Sequence, residues 1–246
     1  MISAKTRDEM RKILTLIILV FSFSAITIGQ ESFKSQQLRY KRVRVAYAEK
    51  EAMMNQLLGK QTIIRDSLEI FIRVIKNEKL LELWGKNKNE KEFRLITTYN
   101  FCATSGDPGP KIRQGDRQIP EGFYHIDRFN PASKFYLSLG INYPNPTDLL
   151  RNSNENPGGD IFIHGNCVTI GCIPITDDKI KELYIFAVEA RNNGQEVIPV
   201  HIFPARLTEK EMEYLQKAYR NNPELLEFWI ELQLGYAYFE TQKTLR

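Results

Sequence analysis

Apolar and polar positions divide the chain into stretches of different period. Residues 13–28 (ILTLIILVFSFSAITI) are almost wholly apolar or small and follow the basic residues Lys5, Arg7, Arg11 and Lys12. A basic flank ahead of a short apolar run is the layout of a secretory signal. The run falls short of the ~20 apolar residues of a spanning helix, and Ser24, Ala25, Thr27 and Gly29 offer cleavage positions without a clean A-x-A site. Residues 1–29 therefore read as a signal peptide or an uncleaved signal anchor. In either form the basic flank stays inside and the remainder is expected outside the cytoplasm. No cysteine follows the run, which argues against lipoprotein processing. Residues 30–65 are polar and charged with scattered apolar positions (Phe33, Leu38, Val43, Val45, Met53, Leu57) and read as a spacer with helical potential.

From residue 66 the period shortens. Strands are predicted over Leu68–Ile75 and Lys79–Trp84, joined as a hairpin at Asn77-Glu78, and over Phe93–Phe101, Phe123–Asp127, Lys134–Ile141 and Ile161–Ile163. Glu196–Phe203 closes the series, with Pro199 suiting an edge strand or a bulge. Residues 104–122 and 142–160 are dense in Gly, Pro and Asn and predict long surface loops, the second long enough for a lid or binding wall. One helix follows Cys172. Thr176 is its N-cap, Asp177 and Asp178 complement its dipole, and Ile180, Leu183, Tyr184, Ala187 and Val188 form one apolar stripe, ended by Asn193-Gly194. A Thr208–Glu211 capping box and Asn222-Pro223 start two further helical segments in residues 207–246. The expected architecture is a mostly β (α+β) domain over residues 66–206, with one embedded helix and helical N- and C-terminal flanks.

Charge and cysteine content sharpen this picture. The net charge of +4 comes from 34 basic and 30 acidic residues spread along the chain, so no nucleic-acid footprint forms. The three cysteines, Cys102, Cys167 and Cys172, are an odd number for an exported chain, so at least one is unpaired, metal-bound or joined to another chain.

The chemistry concentrates in residues 161–176, IFIHGNCVTIGCIPIT. Acyl transfer by cysteine needs a thiolate, hence a base within reach, and backbone N–H donors for the tetrahedral oxyanion. Here His164 leaves a strand into Gly165, Gly171 immediately precedes Cys172, and a helix N-terminus follows whose positive end favours a thiolate. Cys172 thus reads as nucleophile and His164 as base. A second reading is a zinc site, since His164-x2-Cys167-x4-Cys172 has ligand spacing and His201 is a fourth donor. A third is a plain packed thiol. Cys167 reads as a packed thiol or as the partner of Cys172 in a regulatory disulfide, and Cys102 as a core residue at a strand end. His125 and His201 read as packed or surface residues.

At these positions the sequence resembles the YkuD-type L,D-transpeptidase family. Its His-Gly followed by Ser/Thr-x-Gly-Cys is matched by His164-Gly165 and Thr169-Ile170-Gly171-Cys172. Pro108–Lys111, Gly115-Asp116 and Pro120–Tyr124 resemble the family's entry into the domain. Asn166-Cys167, Asn193-Gly194-Gln195 and His201-x-Phe203-Pro204-x-Arg206 are similar to the YafK-like branch. The resemblance implies a β-sandwich or barrel and a cysteine acyl-enzyme acting on peptidoglycan stem peptides that contain meso-diaminopimelate. Cys172 and His164 would be catalytic, with Gly171, Thr169 and Gly165 at the oxyanion or substrate side. A thioester taken by an amine gives an L,D-transpeptidase. Taken by water it gives a hydrolase, such as an endopeptidase or amidase that releases peptide or a wall-attached lipoprotein. A non-catalytic wall-binding module of the same fold is the alternative from another class. No cofactor, metal or nucleic acid is implied, and the membrane is met only through the N-terminal segment of a periplasmic or envelope protein. Two departures stand out: only seven residues, 165–171, separate His164 from Cys172, and Pro174 occupies the position of the family's usual arginine, for which Arg206 is the candidate substitute.

Overall fold

The computed structural model describes residues 31–151 and 156–245, with Glu9 alone before them, so the signal or anchor read over residues 1–29 otherwise lies outside the described residues. Ser32–Arg246 forms one compact unit. Among the described residues no helix is long and apolar enough to cross a membrane.

The expected hairpin is present: β1 (Leu68–Ile75) pairs antiparallel with β2 (Leu80–Asn87), and β2 with β3 (Arg94–Asn100). Later come β4 (Gly122–Asn130), β5 (Ser138–Ile141), β6 (Phe162–His164), β7 (Ile173–Pro174) and β8 (Pro199–Phe203), giving one eight-stranded mixed sheet in the order β3-β2-β1-β8-β4-β5-β6-β7. The sheet curls until its two edges meet. The backbone N–H of Cys102, just past β3, donates to the carbonyl of Pro174 in β7 at 3.0 Å. The α+β expectation is met, with helix outweighing strand at 39% against 22%.

Alternation along β1 explains the layers, because successive side chains point to opposite faces. Leu68, Ile70, Ile72 and Val74 lie in the main core with Leu183 and Val188 of α4 (Thr176–Asn192), and this face is fully closed to solvent. Phe71, Arg73 and Ile75 face the other way and are covered by α6 (Pro223–Gln242), which follows α5 (Glu209–Ala218). Both caps form, but the Thr208 box is only half closed: Thr208 Oγ1 accepts from Glu211 N–H and Asn222 Oδ1 from Leu225 N–H, while Thr208 N–H donates to the Arg206 carbonyl.

Three expectations change. The segment read as a spacer is helical, as α1 (Phe33–Leu38) and α2 (Lys41–Lys60), but Val43, Ala46, Met54 and Leu58 are buried. Tyr47 donates to Glu189 at 2.7 Å and Tyr184 to Gln37 at 2.8 Å, so α1 and α2 form an outer layer on α4. The strand containing Pro199 lies at the sheet centre, between β1 and β4, rather than at an edge. Pro199 is its first residue, the one place where a missing N–H leaves the ladder intact. The 142–160 segment also holds a short helix, α3 (Pro146–Arg151).

Beyond the end of β1, the ammonium of Lys76 is buried and donates to the carbonyls of Asp107, Gly109 and Ile119 and to Glu121 Oε1. Glu121 also accepts from Gly109 N–H and from Trp229 Nε1–H of α6. A buried charge persists only when its hydrogen-bonding capacity is met inside. Lys76→Met should therefore cost about 3–5 kcal/mol by leaving the Glu121 carboxylate unpaired, read as a lower urea midpoint, while the paired Lys76→Met/Glu121→Gln variant recovers part of the loss.

Candidate active site

β6 and β7 run parallel and side by side, with Ile163 opposite Ile173 and His164 opposite Pro174. Ile163 and Ile173 point into the core, so His164 ends β6 on the opposite face from Ile163. Cys172 immediately precedes β7. From His164, its backbone lies one strand spacing sideways (~4.8 Å) and two residues along (~6.6 Å). The short spacing between the two residues is thus one tight crossover between neighbouring strands.

His164 is buried, and its Nδ1 lies 2.5 Å from the Gly165 carbonyl. A carbonyl only accepts, so Nδ1 carries the proton and Nε2 of the neutral ring is the basic atom. Phe135 stacks on the imidazole, with centroids 4.6 Å apart at 28°. Burial pulls the His164 pKa below its ordinary value, outweighing the upward effect of the Gly165 carbonyl. Cys172 is the one free cysteine among the described residues, half-buried, with Sγ 3.7 Å from the Asp160 carbonyl. Burial pushes its thiol up, the Phe162 backbone N–H pulls it down, Asp160 raises it and Lys111 lowers it. Both shifts favour the neutral forms, the thiol of Cys172 and the unprotonated imidazole of His164.

The 165–171 crossover is braced at each end. A Cβ on Gly165 would sit 2.5 Å from Asp177 Oδ1 of α4 and 2.8 Å from the Phe135 carbonyl, so only glycine fits. Asp177 Oδ1 also accepts from Asn166 N–H at 2.7 Å. Thr169 Oγ1 accepts from the N–H groups of Gly171 (3.1 Å) and Cys172 (2.8 Å) and donates to the Cys172 carbonyl (2.8 Å). The two N–H groups that the sequence nominates for an oxyanion are thus held by the Thr169 hydroxyl. Gly171 has φ +133°, and a Cβ there would meet the Gln118 carbonyl at 2.9 Å.

The cysteine pairing corrects the sequence reading. Cys102 and Cys167 form a disulfide across 65 residues, with Cα atoms 5.3 Å apart. Cys167 is neither a packed thiol nor the partner of Cys172, and Cys102 is exposed rather than core. Their meeting follows from the curl of the sheet, which brings the end of β3 beside β7. The zinc constellation does not assemble either. Cys167 is engaged with Cys102, and His201 lies half-buried between Phe71 and Phe123 with its buried Nδ1 unpartnered. Among the described residues no group of three metal-donating side chains is suited to hold an ion.

Arg206 is placed elsewhere: its Nη2 donates to Glu82 Oε1 at 2.9 Å, in the cluster with Arg73 beneath α6. The cation whose field reaches Cys172 is Lys111, which the sequence showed only as part of the Pro108–Lys111 run. Lys111 Nζ donates to Asp116 Oδ1 at 2.7 Å and to the Arg113 carbonyl at 2.8 Å. Asp116 further accepts from the N–H groups of Ile112, Arg113 and Gln118. Burial pushes its carboxyl up, but Lys111 and these N–H groups together hold it below its ordinary value. Asp116 thereby shapes the 111–118 loop that presents the Gln118 carbonyl to Gly171.

Thiol titration of the non-reduced, denatured protein should give one reactive thiol per chain, Cys172, and three after reduction. Two or more before reduction would contradict the pairing. Gly171→Ala forces a side chain onto the Gln118 carbonyl at an unfavourable φ, which costs on the order of 1–3 kcal/mol locally. Alkylation of Cys172 should change by at least tenfold (~1.4 kcal/mol), and an unchanged rate would show that the Gln118 contact is not a constraint.

The model of the YkuD family, described as the L,D-transpeptidase catalytic domain, matches residues 69–202. The chain is 36% identical over 173 residues to "Putative L,D-transpeptidase YafK" of Escherichia coli (strain K12), covering 70% of this chain, and equally to its counterpart in Escherichia coli O157:H7. The chain spans 66% of the length of these curated relatives. Among solved structures, the helical cell shape determining protein Pgp2 from Campylobacter jejuni aligns at TM-score 0.45 and 17% identity, covering 73% of this chain and 72% of that one. Bdellovibrio bacteriovorus Bd1075 aligns at TM-score 0.39 and 22% identity, over 63% and 56%. The family match spans the sheet from β1 to β8 and includes His164 and Cys172, and the chain belongs to the YkuD family of L,D-transpeptidase catalytic domains.

Proposed function

We propose that this protein is a cell-envelope enzyme that transfers or hydrolyses acyl groups of peptidoglycan stem peptides through a Cys172 thioester. The observation that carries the reading is the free Cys172 immediately before β7, beside the parallel β6 that ends in His164, whose Nδ1 proton is committed to the Gly165 carbonyl. Nε2 takes the thiol proton as sulfur attacks the carbonyl carbon of a meso-diaminopimelate residue. The C–N bond beyond that carbonyl breaks, and the departing amine receives the proton from His164. An incoming amine or water then attacks the thioester, giving a new amide or a carboxylic acid and returning the thiol. A Cys102–Cys167 disulfide suits an oxidising compartment, which supports a periplasmic or envelope location. Likeness to the two Escherichia coli relatives supports the L,D-transpeptidase reading of the substrate side.

The test is incubation with purified muropeptides and mass analysis of the products, comparing wild type with Cys172→Ala. Loss of all product in the variant is expected; equal product from both would overturn the mechanism. Cross-linked dimers report transfer to an amine, and trimmed stems report transfer to water. The pH profile gives a second check. Because the His164 pKa is lowered, its base form persists below the usual imidazole value of about 6.5. The acid limb of kcat/KM should therefore fall below pH ~6.5, and a limb centred above it would exclude His164 as the base.

A further inference from the structure

β6 ends at His164, and the peptide group between Gly165 and Asn166 lies just past the strand. The peptide before it is held on both sides: the His164 carbonyl accepts from Ile175 N–H at 3.0 Å, and Gly165 N–H donates to the Leu137 carbonyl at 3.2 Å. The Gly165–Asn166 peptide is held by two side chains instead. Its carbonyl accepts from His164 Nδ1 at 2.5 Å, and its N–H donates to Asp177 Oδ1 at 2.7 Å. A trans peptide points its C=O and N–H in opposite directions, so one rigid plane joins the imidazole to the carboxylate. Its present orientation is not the one the backbone prefers. Asn166 sits at φ +61°, in the left-handed region that L-residues mostly avoid. Turning the plane over would carry Asn166 to φ about −120°, in the broad β region, and Gly165 has no Cβ to resist the change. The turned peptide would aim its N–H at His164. Nδ1 would then accept, the ring proton would sit on Nε2, and the basic atom would be lost. The turned peptide would also aim its carbonyl at Asp177, whose ionised carboxylate can only accept. Asp177 therefore favours the present orientation twice over. Its side chain is exposed, and solvent screens its charge, so it acts through this contact rather than through a field on the ring.

We propose that Asp177 is a positioning residue for His164: it holds the Gly165–Asn166 peptide with its carbonyl toward the imidazole and so selects the Nδ1–H tautomer, which leaves Nε2 free as the base. The proposal rests on the reading of His164 as base. It accounts for a left-handed Asn166 next to the site, and for a carboxylate packed so closely on Gly165 that a Cβ there would lie 2.5 Å from Oδ1.

The tautomer is read from the ring-nitrogen NMR shifts of isotope-labelled histidine in the full chain at pH ~8, where an imidazole is neutral. His164→Gln assigns the His164 signal among the three histidines. Wild type should show the Nδ1–H form. In Asp177→Ala the ratio of Nε2–H to Nδ1–H should rise by roughly tenfold or more, the effect of losing one hydrogen bond to a charged acceptor. Asp177→Asn fills the same space but can donate as well as accept, and should give an intermediate ratio. Asp178→Ala is the control for the first turn of α4, since Asp178 pairs with Lys50 instead, and it should leave the ratio at the wild-type value. Thermal melting checks that each variant is folded. An Nε2–H form in wild type or an unchanged ratio in Asp177→Ala overturns the proposal. So does an equal shift in Asp178→Ala, which would mark simple fraying of the helix. The tautomer is read without turnover, so failure here is separable from failure of the reading of His164 as base, which would appear as full muropeptide turnover by His164→Gln.

Discussion

The site depends on one buried charge that takes no part in it. Lys76 follows the hairpin strand β1 and places its ammonium among three loop carbonyls and the Glu121 carboxylate. Removed from water, that group is tolerable only while every proton has an acceptor. The loop before β4 must therefore hold one path, and α6 joins it through the Trp229–Glu121 bond. This path sets the Gln118 carbonyl against Gly171. The C-terminal helix is thus tied to the loop before β4 through a shared carboxylate.

Closure of the sheet supplies the second constraint. β7 is only two residues long, and an edge strand that short has little pairing of its own. The Cys102 N–H bond to Pro174 and the Cys102–Cys167 disulfide attach it to the far edge. The seven-residue crossover between His164 and Cys172 is then held at Gly165 by α4, at Cys167 by the disulfide, and at Gly171 by Thr169 and the Gln118 carbonyl. Such fixing substitutes for a carboxylate partner on His164, whose orientation comes from the Gly165 carbonyl alone among its described hydrogen bonds.

Much of this was legible in the chain. The 68–87 hairpin, the helix α4 and the Thr208 and Asn222 caps follow from local periodicity and capping chemistry. His164-Gly165 and Gly171-Cys172 follow from what acyl transfer requires of neighbouring residues. The burial of α2 was not legible, because its apolar positions are sparse and reach the core only when α4 is placed against them. Pro199 misled for a related reason: proline forbids one hydrogen bond, and whether that bond matters depends on where the strand begins.

The sequence by itself determined the residue types, the local elements and the odd cysteine count that leaves a thiol free. Tertiary structure decided which cysteine that is, because the pairing of Cys102 with Cys167 spans 65 residues and exists only once the sheet has curled. It also decided the place of the candidate cation, tying Arg206 to Glu82. Local patterns encode what each segment does with its neighbours in sequence. Electrostatic fields and disulfides depend on distances through space, which the packing of distant segments sets.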